Sequence, residues 1–242
     1  MQSVNFRFIN TLLNMLPEVI KMKILGINAS PRGDKSQTLK LVESVLDGAK
    51  SVGAEIELID ICRLEIKFCN ACQICYRTGK CVHNDDFQIL YHKILAADGL
   101  VWGSPNYFRS VTAQFKTIID RMADAIHCQL FTGKYSCSVA TAGGPKYDEV
   151  TDYLNGLLMN FGSFVTGSVG ASISRGPQIM EKAENAALSL GKTLAEDIKI
   201  KRDYIEQRET LEENRAYFKK LVEMHKEEWE HEYEYWNRLN WT

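Results

Sequence analysis

Proline is scarce in this chain, and both long apolar runs and an excess of one charge are absent. The five prolines among 242 residues are scattered, so no proline-rich linker is indicated. No apolar run approaches the roughly 18 residues of a membrane span, and residues 1–21 lack the basic start and cleavage site of a signal peptide. A formal net charge of -2 gives no sign of a surface for nucleic acid or membranes. We therefore expect a cytoplasmic protein with small-molecule or protein partners.

The composition is that of an ordinary globular chain, with 45% hydrophobic and 25% charged residues. We expect an N-terminal extension at residues 1–21, a main domain at 22–200 and a helical C-terminal arm at 201–242. Because Met22 begins "MKILGIN", which looks like a natural start, the extension is either a short added helix or the product of an upstream start codon.

Short apolar runs alternate with helical patterns from Met22 onward. The runs that predict strands are 23–28, 55–61, 99–104, 135–141 and 163–170. The patterns that predict helices between them are 38–51, 86–97, 112–126 and 147–161. Strand–helix alternation of this kind predicts an α/β fold with a parallel sheet and helices on both faces.

The loop after the first strand, "NASPRGDKSQT", is suited to a phosphate. Ser30, Ser36 and Thr38 supply hydroxyls, Arg32 supplies a guanidinium, and the following helix begins with free backbone N–H groups. The loop is neither Gly-x-Gly-x-x-Gly nor a P-loop, so a monophosphate is favoured over a pyrophosphate or a triphosphate. The alternative is an ordinary loop with a Ser or Thr helix cap.

The loops after the third and fourth strands are suited to a planar ring. In "GSPNYFRS" Pro105 stiffens the turn, while Tyr107 and Phe108 offer flat apolar surface. In "TAGGPKY" two glycines allow the backbone to approach a ring closely. Taken alone, the aromatic side chains would merely cover the sheet end, and the glycines would only form a turn.

Four of the seven cysteines lie within thirteen residues, at Cys69, Cys72, Cys75 and Cys81. Three cysteines at intervals of three suit a cubane iron–sulfur cluster, and Gly79 provides a turn that returns the fourth. Zinc, a disulfide and a vestigial motif that holds nothing remain alternatives. Asp85 is expected to cap a helix that starts near Asp86. The other cysteines are expected to be small buried hydrophobic residues: Cys62, Cys128 and Cys137.

These stretches together resemble one known family. "GINASPRGDKSQT", "CNACQICYRTGKCVHNDDF", "GSPNYFRSVTAQFKTIIDR" and "TAGG" are similar to the flavodoxin-like NADPH-dependent FMN reductases and, among them, to the iron–sulfur flavoproteins. The resemblance covers residues 22 to 200. It implies a doubly wound five-stranded parallel sheet in the order 2-1-3-4-5, FMN, and a [4Fe–4S] cluster on the four cysteines.

The resemblance also implies which residues hold FMN. The phosphate would be held by Ser30, Arg32, Ser36, Gln37 and Thr38. The isoalloxazine ring would lie against Pro105, Asn106, Tyr107, Phe108, Thr141, Ala142, Gly143 and Gly144. Asn106 departs from the family pattern, because we expect an aliphatic residue between the proline and the tyrosine.

The leading hypothesis is an oxidoreductase that passes electrons between a one-electron carrier such as ferredoxin and a small-molecule acceptor, through the cluster and FMN. The alternatives are an NAD(P)H-dependent FMN or quinone reductase without a cluster, and a flavodoxin-like electron carrier. The resemblance implies a homo-oligomer, a dimer or tetramer, in which the cluster approaches the flavin across a subunit interface.

An apolar stripe runs along the C-terminal arm. Its members recur every three or four residues and predict one face of a helix: Phe218, Val222, His225, Trp229, Tyr233 and Trp236. The stripe docks either on its own domain or on a neighbouring subunit, since Tyr and Trp are favoured at interfaces.

Overall fold

The strand order of the sheet is β2-β1-β3-β4-β5, and all neighbouring strands are parallel. This computed structural model describes residues 22–241. The N-terminal extension predicted at residues 1–21 lies outside them. The strands are β1 (Lys23–Asn28), β2 (Glu55–Asp60), β3 (Gly99–Pro105), β4 (Tyr135–Ala142) and β5 (Phe164–Ser172). Strand β4 is buried along its whole length, as expected in a parallel sheet covered on both faces, whereas the edge strand β2 is only partly covered. The flavodoxin-like order predicted from the sequence is confirmed.

Nine α-helices connect and flank these strands within the described residues. They are α1 (Gln37–Ser51), α2 (Ile74–Thr78), α3 (Phe87–Ala96), α4 (Ala113–Ile119), α5 (Ala123–His127), α6 (Asp148–Asn160), α7 (Pro177–Ile200), α8 (Ile205–Met224) and α9 (Glu230–Arg238). The prediction of a single helix at 112–126 is wrong, because this segment forms the two helices α4 and α5, which are separated between Ile119 and Ala123. Arg121 and Met122 there donate to carbonyls three residues earlier, which tightens the turn and points to a local change of direction.

The core lies in two layers, one on each face of the sheet. On one face Trp102 is fully buried among the rings of Phe115, Phe131 and Phe161. On the other face α1 and α7 pack against the sheet and against each other. Because both helices bury apolar stripes there, the start of α1 is held firmly at the carboxyl end of β1.

The C-terminal arm docks on its own chain. The continuous helical face expected from Phe218 to Trp236 is interrupted, because α8 ends at Met224 and α9 begins at Glu230. The Trp236 ring is fully buried, and its Nε1–H donates to the carbonyl of His127 at 3.1 Å. None of the helices in residues 22–241 is long and apolar enough to cross a membrane.

Candidate functional site

Three loops meet at the carboxyl ends of β1, β3 and β4. The Ala29 N–H donates to the Gly103 carbonyl at 2.9 Å, and the Asn106 N–H donates to the Thr141 carbonyl at 2.8 Å. These backbone bonds continue the sheet past its regular strands and hold the loops side by side. The chain reverses its strand order between β1 and β3, which is where ligands of doubly wound sheets bind.

The first loop brings three hydroxyls to the start of α1, and all three are buried: Ser30, Ser36 and Thr38. Ser36 caps the helix, since its Oγ accepts from the Leu39 N–H at 3.0 Å. The Thr38 and Thr141 hydroxyls lie 2.7 Å apart and join the first loop to the end of β4. Arg32 is exposed, and Gln37 is half-buried. The arrangement is one compact set of donors at a helix N-terminus, suited to a single phosphate.

The second loop presents an aromatic ring on a strained turn. Phe108 and Arg109 have φ angles of 53° and 68°, and Tyr107 and Ser110 close the turn with two backbone hydrogen bonds. Phe108 is fully exposed, so nothing in the described chain covers it. A bulky residue in the left-handed region is uncommon and is typical of functional loops.

Asn106 explains how this turn is held. Its side-chain amide donates to the Lys146 carbonyl, and its Oδ1 accepts from the Arg109 N–H at 2.8 Å. The Arg109 guanidinium in turn pairs with Glu149 at the start of α6. The residue that departs from the family pattern therefore ties the loop after β3 to the loop after β4.

The residues present fit FMN. A Cβ added at Gly143 or Gly144 would meet no atom within 4 Å, which leaves open space at the loop after β4. The Asn28 Nδ2 at the end of β1 is buried and has no hydrogen-bond partner within residues 22–241. Buried hydroxyls, an unpaired amide and a flat apolar rim suit a phosphate joined to a planar ring.

The cysteine loop at 69–81 follows the edge strand β2, whose carboxyl end lies beside that of β1. Cys69 and Cys72 are exposed, whereas Cys75 and Cys81 are half-buried. The loop is wound by left-handed residues at Ala71, Gln73 and Gly79. Within residues 22–241 no three Cys, His, Asp or Glu side chains are gathered closely enough to hold a metal ion.

The donor set nevertheless fits an iron–sulfur cluster, since four thiols on a wound loop are the ligands that cubanes take. Burial, followed by the charges of Asp124 and Glu232, raises the pKa of the Cys75 thiol to about 12. Without a cation this thiol stays protonated, and a bound metal would reverse that preference. Of the cysteines outside the loop, Cys128 and Cys137 are buried as expected, and Cys62 is only half-buried.

A buried ion pair supports the loop, and the sequence patterns did not reveal it. Arg121 Nη1 lies 2.6 Å from Asp85 Oδ2, and Arg121 Nη2 donates to the Cys81 Sγ at 3.1 Å. Burial raises the pKa of Asp85, but hydrogen bonds from Arg121 and from the Lys67 N–H outweigh it and lower that pKa. Asp85 also accepts from the N–H of Phe87, the first residue of α3, at 3.2 Å. The N-cap of α3 is Asp86, whose side chain makes no capping hydrogen bond, so the expectation that Asp85 is the cap residue is wrong.

Aromatic side chains of the arm form the underside of the cysteine loop. The Tyr76 ring in α2 lies 4.8 Å from the ring of Trp229 and 5.0 Å from that of His127. The Trp229 and His127 rings are stacked at 4.8 Å, and the His127 Nδ1 lies 2.9 Å from an oxygen of the buried Glu232. The short helix α2 is therefore held by the C-terminal arm of the same chain.

Comparisons with known proteins agree with this geometry. The family model described as NADPH-dependent FMN reductase matches residues 22–178. An iron-sulfur flavoprotein of Archaeoglobus fulgidus is 34% identical over 184 residues, which cover 74% of this chain and 82% of that protein. An iron-sulfur flavoprotein of Clostridioides difficile is 28% identical, with 71% and 77% covered.

Solved structures share the fold. An FMN-dependent NADH-azoreductase of Bacillus anthracis, solved in complex with FMN, superposes with a TM-score of 0.58 at 16% identity and covers 72% of this chain and 99% of its own. Family match, relatives and fold agree: this chain belongs to the NADPH-dependent FMN reductase family and to its iron–sulfur flavoprotein subgroup, and is a flavin-dependent oxidoreductase.

Proposed function

We propose that this chain binds FMN and a [4Fe–4S] cluster and transfers electrons between a ferredoxin-like carrier and a small-molecule acceptor. One observation supports the proposal: four thiols on a wound loop lie in the same domain as the buried hydroxyls gathered at the start of α1. A cluster supplies single-electron transfer, and FMN supplies chemistry in which one or two electrons are accepted. The relatives named iron-sulfur flavoprotein support the pairing.

The FMN phosphate would be bound by the hydroxyls of Ser30 and Thr38, by the guanidinium of Arg32 and by the first N–H groups of α1. Ser36 and Gln37 lie at the same helix start. Because the Ser36 side chain already caps α1, Ser36 would contribute to phosphate binding mainly by fixing that helix start. Charge-assisted contacts of this kind contribute about 1.5–3 kcal/mol each.

The ring would lie between the exposed Phe108 and the open backbone at Gly143 and Gly144, with Pro105, Tyr107, Thr141 and Ala142 completing the wall. Asn106 would orient this wall indirectly, because its amide joins the two loops that form it. The cluster would be held by Cys69, Cys72, Cys75 and Cys81, with Arg121 beside Cys81.

The test is anaerobic purification followed by flavin, iron and sulfide analysis of the wild type and two variants. Cys72→Ser removes an exposed motif thiol, and Cys62→Ser is the matched control because Cys62 is half-buried outside the motif. We expect FMN with about four iron and four sulfide per chain in the wild type. Cys72→Ser is expected to lose the iron but keep FMN, and Cys62→Ser to keep both.

Reduction of FMN by a ferredoxin-like donor distinguishes the alternatives. We expect stopped-flow reduction by that donor to be fast in the wild type and lost in Cys72→Ser. Iron-free wild type that oxidises NAD(P)H in steady state would establish the plain FMN or quinone reductase instead. Iron-free protein that oxidises no NAD(P)H and only exchanges electrons would establish a flavodoxin-like carrier.

A further inference from the structure

A buried arginine lies beside the cysteine loop, and the FMN site makes no use of it. Arg121 is 3% exposed, and its guanidinium lies 4.3 Å from the centre of the Phe87 ring. An arginine side chain stays charged in proteins, so a full positive charge is fixed in the interior at this point. A buried charge is costly unless several partners satisfy it.

Asp85 offsets only part of the positive charge of Arg121. The Arg121 Nη1 contacts the Asp85 carboxylate at 2.6 Å and the Lys67 carbonyl at 3.1 Å. The Asp85 carboxylate also accepts the backbone N–H groups of Lys67 and Phe87, at 2.9 Å and 3.2 Å, so its negative charge is shared among several donors. The Asp85 carboxylate therefore does not fully offset the charge of Arg121, and the guanidinium keeps positive charge on the side that faces away from Asp85.

That side faces the cysteines. Arg121 Nη2 donates to the Cys81 Sγ at 3.1 Å, and Arg121 lines a pocket of about 400 Å³ together with Cys75 and Cys81. The Arg121 Nε is buried and has no hydrogen-bond partner among residues 22–241. A buried donor without a partner is rare in folded proteins, and here it belongs to a cation already in contact with a sulfur.

We propose that Arg121 is a positioning residue of the cysteine site, which orients Cys81 through its hydrogen bond and favours the reduced state of the cluster. This inference rests on the cluster assigned to the four cysteines under the proposed function. When a one-electron donor is oxidised and its electron enters the site, one negative charge is added beside Arg121. Hydrogen bonds to cluster sulfurs and nearby charge are among the factors that set cluster potentials.

The experiment is a redox titration of the iron-loaded protein with dithionite, which supplies the electrons. The visible absorption of the cluster is measured at each potential. Arg121→Met removes the charge and both contacts to sulfur and carboxylate. Arg77→Met is the matched control, because Arg77 is an exposed arginine on α2 in the same loop. Arg121→Lys retains the charge without the forked geometry.

At a fixed potential, Arg121→Met is expected to lower the ratio of reduced to oxidised cluster by tenfold or more, which is a shift of about 59 mV for one electron. Arg77→Met is expected to change the ratio less than Arg121→Met does, because solvent screens its charge. Arg121→Lys is expected to fall between the wild type and Arg121→Met. A merely structural arginine would leave the potential of any folded, iron-loaded variant unchanged.

Arg121→Met leaves the buried Asp85 carboxylate without its cation, which destabilises the fold. A second variant is therefore used in which both charges are removed. Asp85→Asn with Arg121→Met removes both charges of the pair and is compared with Asp85→Asn alone. The double variant is expected to have the lower potential of the two. Equal potentials in both comparisons would overturn the role of Arg121, whereas wild type without iron would overturn the cluster itself and the role of Arg121 with it.

Discussion

Helices α1 and α7 approach each other through two glycines, and this contact predicts a measurable loss of stability on substitution. A Cβ added at Gly191 would lie 2.7 Å from the carbonyl carbon of Val45 and closer still to its oxygen. A Cβ added at Gly48 would lie 2.9 Å from the carbonyl carbon of Leu188. Both obstacles are helix backbone, which cannot rotate away as a flexible side chain can.

The magnitude follows from two opposed effects. Ordinary van der Waals contact begins at 3.4 Å, so the helices in Gly191→Ala must separate by at least about 0.7 Å. Overpacking costs about 1–3 kcal/mol and occasionally more, and because helix backbone must move here we place the cost for Gly191→Ala at about 3–4 kcal/mol. Alanine in place of a helical glycine returns about 1 kcal/mol. We expect a net loss of about 2–3 kcal/mol, which lowers the melting temperature by roughly 4–12 °C in a chain of this size.

The assay is thermal unfolding of the cluster-free protein, followed by circular dichroism. Gly156→Ala is the matched control, because Gly156 lies within α6 and a Cβ there would meet no atom within 4 Å. That variant is expected to melt at or slightly above the wild-type temperature, since only the helix propensity changes. A Gly191→Ala protein that melted as high as Gly156→Ala would refute the close packing of α1 on α7.

One further substitution tests the site, and one deletion tests the arm. Thr38→Val keeps the side-chain shape but breaks the hydroxyl contact with Thr141, so FMN affinity is expected to fall about fivefold, or ~1 kcal/mol, in a flavin fluorescence titration; an unchanged Kd would remove Thr38 from the phosphate site. Deletion of residues 203–242 is expected to accelerate proteolysis within 69–81, measured by mass spectrometry, because α2 loses the arm beneath it; equal cleavage rates would show that the arm does not hold the loop.

Local patterns explain why so much of the fold was predictable. The strands are apolar runs bounded by loops, and their period is visible within six to nine residues, as in β1 and β5. The break after Ile119 was not visible, because Ile118 and Met122 continue an apolar helical spacing through it while the intervening Arg121 points inward. The spacing of apolar residues does not reveal that Arg121 is buried, because its partner Asp85 is 36 residues away.

The candidate site divides in the same way. The loop proposed to bind phosphate could be singled out from the sequence because its hydroxyls and its helix start are adjacent along the chain; its phosphate role stays a prediction. The tie from Asn106 to Lys146 was not recognisable, since it joins residues 40 positions apart and depends on a left-handed turn at Phe108 that no residue type there favours. The role of Gly191 was not recognisable either, because the close approach of α1 and α7 there joins residues far apart in sequence.

The aromatic stripe of the arm packs on its own chain, which bears on how subunits would assemble. A Cβ added at Gly79 would lie 2.5 Å from the His231 ring, and the Trp229 ring contacts the Tyr76 ring at 4.8 Å, so α9 and the residue before it pack directly against the cysteine loop. Trp236 is buried within the same chain, between the His127 carbonyl and the cationic side chain of Lys219. The stripe is thus occupied in a single chain and gives no support to an arm that reaches a neighbour. A homo-oligomer stays a prediction, and because Val222 and Trp236 of the stripe are already buried within one chain, we expect a subunit interface to use other surfaces, such as the exposed ring of Phe108 at the proposed FMN site.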